Sequence, residues 1–429
     1  MGIKNLQPFI RKTCPHVYRE RSLEHYAFKK VAVDVSIYLC KFKTTFGKQW
    51  LDALIQFITT LREFDIHPVF IFDTEFPVEK DAEKKSRQLQ RTKTREKVEH
   101  LTKMWETLKE SFQPHQTHLF FSPREYQELQ DLYSKVCPGW HVSQPIPIVL
   151  MDQNIEKINN SMLSIRSDDY LVTKRLLDIL QVPYFQAVGE AEATCSALAR
   201  YQWVHGVMSE DTDVLAYGAP VFLHRMNFMN KTVMEIQYQE LIHGLRMTSS
   251  QFLDFCILCG TDYNKNMPKI GPEKSYRLLQ KYESLENIER CCQHLDVSVL
   301  TYPRVRELFH LELEEKDWKI PFCGFPSMIQ LSQFCFEHDC KVDMKVVYQA
   351  FFNSPYLLFP KEWSTETKQS VQDIKEEKIE KDEKDEKDEK EEKVEKDKKE
   401  EKEHELPNFS ISNQPFVNYH SLLRGIIIP

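Results

Sequence analysis

The sequence predicts an α/β fold on a central, mostly parallel sheet, and three observations predict it. First, three apolar runs rich in Val, Phe and Ile close on acidic residues, as buried parallel strands feeding helices do: KKVAVDVS (29–36), HPVFIFD (67–73) and WVHGVMSED (203–211). Second, helix-like stretches separate these runs, so strand and helix alternate. Third, Asp34, Asp73, Asp211 and Asp213 fall at or just beyond the strand ends, where open α/β sheets bind their ligands.

Each element follows in chain order. Between the first two strands, WLDALIQFITTLREF (50–64) carries apolar residues at helical spacing. From about 78 to 165 the alternation is interrupted by a basic helix and then polar, proline-containing sequence (PREYQELQDLY, SQPIPIVL), which reads as an insertion. After Pro183, GEAEATCSALARYQW (189–203) is an Ala-rich helix leading into the third strand. A helical module follows: SSQFLDFCILCG (249–260), a loop TDYNKNMPKIG (261–271), and PEKSYRLLQKYESL (272–285), with Pro272 suited to a helix start. Residues 286–363 carry weaker helical signals. The Lys/Glu repeats after Thr367 lack an apolar stripe, as a disordered linker or a solvated helix does. The last segment, LPNFSISNQPFVNYHSLLRGIIIP, fits either a partner-binding peptide or a docking strand.

With 429 residues the chain has room for two domains or for one large domain with insertions. Its net charge of −8 conceals an uneven distribution: residues 375–405 hold 11 Lys and 17 acids, leaving −2 for the rest. The N-terminal MGIKNLQPFIRKTC lacks the apolar stretch of a signal peptide, and Leu6 stands where myristoylation favours Ser or Thr. No apolar run reaches the roughly 18 residues of a membrane helix, so an intracellular protein is expected. Eleven cysteines are scattered through the chain. Cys256 and Cys259, and Cys335 and Cys340, are close in sequence, but no second pair stands at zinc-site spacing. Reduced, mostly buried thiols are the expectation.

The segment GVMSEDTDVLAYG (206–218) places Glu210, Asp211 and Asp213 beyond a core strand. With Asp34, Asp73, Glu190, Glu192 and Asp262, the two aspartates complete a candidate constellation of seven acids. Taken singly, Glu190 and Glu192 could simply favour the positive end of their helix, and strand-end aspartates could be helix caps. Taken together, these carboxylates repel unless a cation sits among them. The absence of His and Cys from the set points to a hard ion, Mg²⁺ or Mn²⁺, rather than zinc. The excess of acids points to two ions, an arrangement that hydrolyses phosphodiesters. Lys80, Lys84, Arg87, Arg91 and Arg95, spaced by four, three, four and four, line one helix face. Beside a metal site such a stripe becomes a phosphate clamp; alone it is equally a solvated face. The turn Lys269–Pro272 could hold a phosphate at a helix N-terminus or be an ordinary connection. Tyr38 could stack on a base or pack in the core.

The motifs MGIKNL, KVAVDVSIY, PVFIFD, QVPYFQAVGEAEA, SEDTDVLAYG and CGTDYNKNMPKIGPEKSYRLL resemble the flap endonuclease/XPG-like family of structure-specific 5′ nucleases, over residues 1–98 and 166–290. The resemblance implies a PIN-like core with a helical arch insertion and a helix–two-turn–helix DNA-binding module. It divides the chain into an N-terminal nuclease region (1–98), an enlarged arch (99–165), an internal nuclease region (166–242), the helix–two-turn–helix module (243–310), a C-terminal helical region (311–364), a charged linker (365–405) and a tail (406–429). It implies that Asp34, Asp73, Glu190 and Glu192 hold one Mg²⁺, and that Asp211, Asp213 and Asp262 hold another, with Mn²⁺ able to substitute. Lys80 and Arg87 fall on the family's two catalytic basic positions at the arch base. DNA contacts are expected from Gly2, Tyr38, Lys84, Arg91, Gly260 and Gly271, the last in a loop that holds K⁺ in relatives.

Two departures bear on the substrate. Asp34 and Asp73 are 39 residues apart, which shortens the loop that separates DNA arms, and Asp73 and Glu190 are 117 apart, which enlarges the arch. No sliding-clamp peptide is recognisable near the C-terminus. The expectation is a monomeric, Mg²⁺-dependent endonuclease cutting flapped or branched DNA near single-strand/double-strand junctions. It would serve replication, repair or recombination, in the nucleus or, for a large-DNA-virus member, at the site of viral replication. The alternatives are a ribonuclease on the same acidic core and a non-catalytic nucleic-acid scaffold. A DxD phosphatase would leave Glu190, Glu192 and the basic helix without a purpose.

Overall fold

The computed structural model describes residues 2–111, 148–314 and 318–352. Seven strands form one mixed sheet: β1 (Arg19–Ser22), β2 (Lys30–Asp34), β3 (His67–Phe72), β4 (Tyr184–Gln186), β5 (Gly206–Met208), β6 (Val221–Asn227) and β7 (Thr232–Gln237). Their order is β1-β7-β6-β5-β2-β3-β4. The five strands from β6 to β4 run parallel, while β7 and β1 add an antiparallel edge.

Alternation along the central strands feeds two cores. Ala32, Val69 and Ile71 join one apolar cluster, and Val31, Val33, Phe70 and Phe72 join the other, on the opposite face of the sheet. Helices cover both faces, so the inner strands are apolar between their ends and read as continuous runs. Helices Leu6–Thr13, Ala191–Arg200 and Ser249–Cys259 contribute to the first core. Helices Val35–Phe46, Trp50–Glu63, Ser167–Ile179, Met328–Glu337 and Met344–Phe352 contribute to the second. The segment assigned to a C-terminal helical region thus completes this core.

The expected strands at 29–36 and 67–73 appear as β2 and β3, and the third shortens to β5. The helix expected at 50–64 spans Trp50–Glu63, and the helical pair spans Ser249–Cys259 and Pro272–Tyr282. The basic helix runs without a break from Asp81 to Ser111, straight across the boundary drawn at residue 98, and Ile148–Ser161 follows it. Trp105 ties these two together, its Nε1 donating to Asp152 Oδ1 at 2.8 Å. Within the enlarged arch, residues 112–147 lie outside the described residues, as do the charged linker and the tail. No helix among the described residues is long and apolar enough to cross a membrane. Cys256 and Cys259 are buried free thiols in the first core.

The topology also sets where a site can form. The chain leaves β2 for β3 and β4 on one side, then returns to place β5 on the other. The carboxyl ends of β2, β3 and β5 therefore flank a switch point, the crevice at which such sheets bind ligands.

Candidate active site

All seven candidate carboxylates meet at that crevice. Asp34 ends β2, and its Oδ1 caps the following helix by accepting from Ile37 N at 3.3 Å. Asp73 follows β3. Its Oδ1 accepts from Ala191 N at 2.8 Å and its Oδ2 from Ser36 Oγ, so it caps the helix that begins beside Glu190. Glu190 and Glu192, at the start of that helix, are thereby freed to face inward. Asp211 and Asp213 follow β5, and Asp262 lies in the loop after Ser249–Cys259. Glu210, the first acid of its motif, turns away to Lys41 (2.5 Å) and Arg225 N (3.2 Å).

Two cations enter among these acids. Lys80 lies in a 3₁₀ turn, Val78–Lys80, just ahead of the basic helix and is buried. Its ammonium donates to Glu190 Oε1 and, at 3.3 Å, to Glu192 Oε1, and it lies 3.9 Å from Asp262 Oδ2. Arg87, two turns on, grips Asp262 with Nη2 at 2.7 and 2.8 Å from the two carboxylate oxygens. Burial disfavours the Lys80 charge, but Glu192 and Glu190 outweigh it and hold the ammonium above its ordinary pKa.

Seven acids still exceed two bases. Burial, reinforced by Asp73, pushes Asp34 up to about 8. Asp213 is raised well above the carboxylate range by burial and by Asp211 and Asp262, and Glu192 is raised mainly by burial. Both Asp213 oxygens are buried without a hydrogen-bond partner. Among the described residues no three His, Cys, Asp or Glu side chains stand in a ready-made ligating geometry. Lys80 and Arg87 hold three of the acids instead. The donor set is all carboxylate, under-neutralised and partly orphaned, which fits a hard divalent ion.

The other candidates divide. Gly2 reaches the crevice: its φ is +85°, and a Cβ there would stand 2.1 Å from Asp211 Oδ1 and 2.7 Å from Thr212 Oγ1, so a side chain would be strained and would push these groups aside. Ile3 N donates to Thr212 Oγ1 at 3.0 Å, and Lys4 N to Gly260 O at 3.1 Å, seating the N-terminal segment against the site. Gly260 closes its helix at φ +94°, a conformation that favours glycine. Gly271 starts Pro272–Tyr282 with open space around its Cα. Lys84 lies over the Phe76 ring at 3.4 Å, and Arg91 is exposed on the basic helix. Tyr38 takes the packing alternative, a correction to the expected stacking on a nucleotide. It is 1% exposed and stacks on Phe57 at 4.6 Å, because Tyr38 and Phe42 share the inner face of their helix. Sequence reasoning passed over two buried tyrosines, Tyr217 and Tyr263. The signal was present, since Tyr263 directly follows Asp262 and Tyr217 comes one turn after Asp213.

The fold and this crevice define a PIN-like α/β nuclease. Residues 1–94 match the XPG N-terminal domain and residues 181–262 the XPG I-region. The chain is 29% identical to "Probable RAD2-like endonuclease 369L" of Invertebrate iridescent virus 6, over 82% of this chain and 92% of the relative. It is 31% identical to "Probable RAD2-like endonuclease 076L" of Invertebrate iridescent virus 3, over 76% and 90%. Flap endonuclease 1 of Lodderomyces elongisporus is 30% identical over 68% and 69%. In three dimensions, the catalytic core of Rad2 in complex with DNA substrate superposes with a TM-score of 0.52 at 16% identity, covering 82% of this chain and all of that one. Human GEN1 in complex with Holliday junction DNA gives 0.51 at 16%, covering 82% and 78%. The chain belongs to the XPG-like, RAD2/flap endonuclease family of DNA nucleases.

Proposed function

We propose that this protein is a divalent-metal-dependent, structure-specific DNA endonuclease that cuts flapped or branched DNA near single-strand/double-strand junctions. The observation that carries this reading is the convergence of seven carboxylates at the sheet's switch point, with two cations against them and the Asp213 oxygens unpartnered. Asp34, Asp73, Glu190 and Glu192 would hold one Mg²⁺, and Asp211, Asp213 and Asp262 another. When bound, these ions supply a nucleophile at neutral pH and a stabilised leaving oxygen. Lys80 and Arg87 are the residues that meet the scissile phosphate. Both already sit among the acids, so an entering phosphodiester offers them an anion in the same place. Lys84, Arg91 and Arg95 continue that face outward along the helix and would track the phosphate backbone, which makes binding salt-sensitive. Gly2 lets the chain's start approach the crevice without filling it. The Gly260 and Gly271 backbones would approach the duplex, the Gly271 loop with a bound K⁺. The protein would act as a monomer, in the nucleus or at a viral replication site.

The test is cleavage of end-labelled flap, bubble, four-way junction and plain duplex DNA, each with Mg²⁺ or EDTA. Cutting within a nucleotide or so of a junction, only with Mg²⁺ and lost in Asp213→Ala, is the expected result. Binding without cutting under Mg²⁺ or Mn²⁺ would favour a scaffold, and preferential cutting of RNA counterparts would favour a ribonuclease.

A further inference from the structure

Glu190 divides its two oxygens between different partners. Oε1 receives the Lys80 ammonium, while Oε2 receives the hydroxyl of Tyr263. The Tyr263 oxygen in turn lies 2.6 Å from that of Tyr217. The direction of this chain follows from chemistry. Tyr263 donates to Glu190, and its own oxygen is left to accept the Tyr217 proton.

Both rings are firmly held. Tyr217 and Tyr263 are buried in the first core, and both lean on Phe309, with ring centroids 4.7 and 5.2 Å away. Their backbones are tied to segments that carry other acids of the site: Tyr217 N donates to the Asp213 carbonyl at 3.0 Å, and Tyr263 is the neighbour of Asp262. Burying two phenol hydroxyls costs free energy that two phenylalanines of nearly the same shape would avoid. What the hydroxyls add is a directed hydrogen bond on one oxygen of Glu190.

We propose that Tyr217 and Tyr263 form a two-hydroxyl positioning relay for Glu190, fixing Oε2 on the core side so that Oε1 is presented to the crevice. Carboxylates that ligate metals are commonly oriented by such outer partners, whose removal weakens the site by about 10–100-fold. The relay rests on the reading of Glu190 as a ligand. It extends that reading to two buried residues behind the carboxylate.

Three variants separate the possibilities: Tyr263→Phe, Tyr217→Phe and Glu190→Ala, each checked for folding by near-UV circular dichroism. Mn²⁺ binding to the protein without DNA is read by electron paramagnetic resonance, and DNA affinity is read in Ca²⁺. Single-turnover cleavage is read in Mg²⁺. Tyr263→Phe is expected to weaken Mn²⁺ binding and slow cleavage by about 10–100-fold with DNA affinity unchanged. Tyr217→Phe should do the same to a smaller extent, because Tyr263 then keeps its bond to Glu190 but loses its own anchor. If Tyr263→Phe matches wild type in Mn²⁺ affinity and rate while Glu190→Ala loses both, the relay is wrong and the ligand reading stands. If Glu190→Ala also matches wild type, the ligand reading itself fails. A Tyr217→Phe defect larger than that of Tyr263→Phe would overturn the order of the relay.

Discussion

The two ends of the parallel sheet bury charge in opposite ways. At the amino end, Arg62 Nη2 bonds Asp65 Oδ1 at 2.7 Å, and Arg62 Nη1 lies 3.0 Å from His67 Nδ1. Cys323 N also donates to His67 Nδ1 at 3.0 Å, and His67 Nε2 lies 3.2 Å from Asp65 Oδ1. The network therefore assigns the imidazole proton to Nε2. Burial alone would raise Asp65, but the His67 hydrogen bond and the Arg62 charge bring it below the usual range. At the carboxyl end, acids outnumber bases, Asp34 rises to about 8, and Asp213 has no partner. Burial is similar at both ends, but charge balance is not. A network whose charges close, although Arg62 Nε lacks a hydrogen-bond partner, holds the fold together, whereas an under-neutralised one has capacity left for a ligand.

Substitutions at the two ends should therefore have opposite signatures. The largest effect is expected from Asp213→Ala: about 10³-fold or more lost in single-turnover cleavage, yet no loss of melting temperature in EDTA, since repulsion is removed. A clear drop in melting temperature would show that Asp213 is structurally satisfied. Arg62→Ala should do the reverse, costing about 3–5 kcal/mol in urea unfolding because it removes the counter-charge of the buried Asp65 and leaves it only the neutral His67 imidazole. Cleavage per folded molecule should not change, and a rate defect at native stability would place the Arg62 network in the mechanism.

Arg87→Ala should slow single-turnover cleavage by roughly 10²-fold while DNA binding largely persists. An unchanged rate removes that residue from the active site. An effect of similar size concerns pH. Burial, helped by Arg62, lowers His67 to about 4 against an ordinary value near 6.5. Between these values the unfolded chain binds a proton that the folded one refuses, so stability falls as pH drops from 6.5 towards 4. The loss is on the order of 3 kcal/mol at the bottom of that window. The His67 ring resonances should stay constant from pH 7 to 5, and titration near 6.5 would contradict the closed network.

Much of the architecture was legible because buried parallel strands carry a simple signal. β2 and β3 are apolar at every position facing either core; β2 ends on Asp34 and β3 is followed by Asp73. The two edges of the sheet left no such trace. β1 is RERS, a charged edge strand, and β4 is three residues long. Pairing with β7 and β3 makes them strands, and pairing partners are remote in sequence. The site was legible to the extent that acids at strand ends share one sheet edge. Tyr38 shows the limit, since a position four residues after Asp34 fits either fate and only the packing of Phe57 against it decides.

By itself, then, the sequence determined the alternation of strand and helix, the acid-rich strand ends, the spacing of the basic helix face and the glycine at position 2. These are local properties, written in periodicity and residue type. Tertiary structure alone decided that β5 returns beside β2, that Lys80 and Arg87 fold into the carboxylates, that Glu210 turns away, and that Tyr217 and Tyr263 meet at Glu190. Each of these joins residues far apart in the chain, and such contacts are selected by burial and charge summed over the whole fold, which no short stretch encodes.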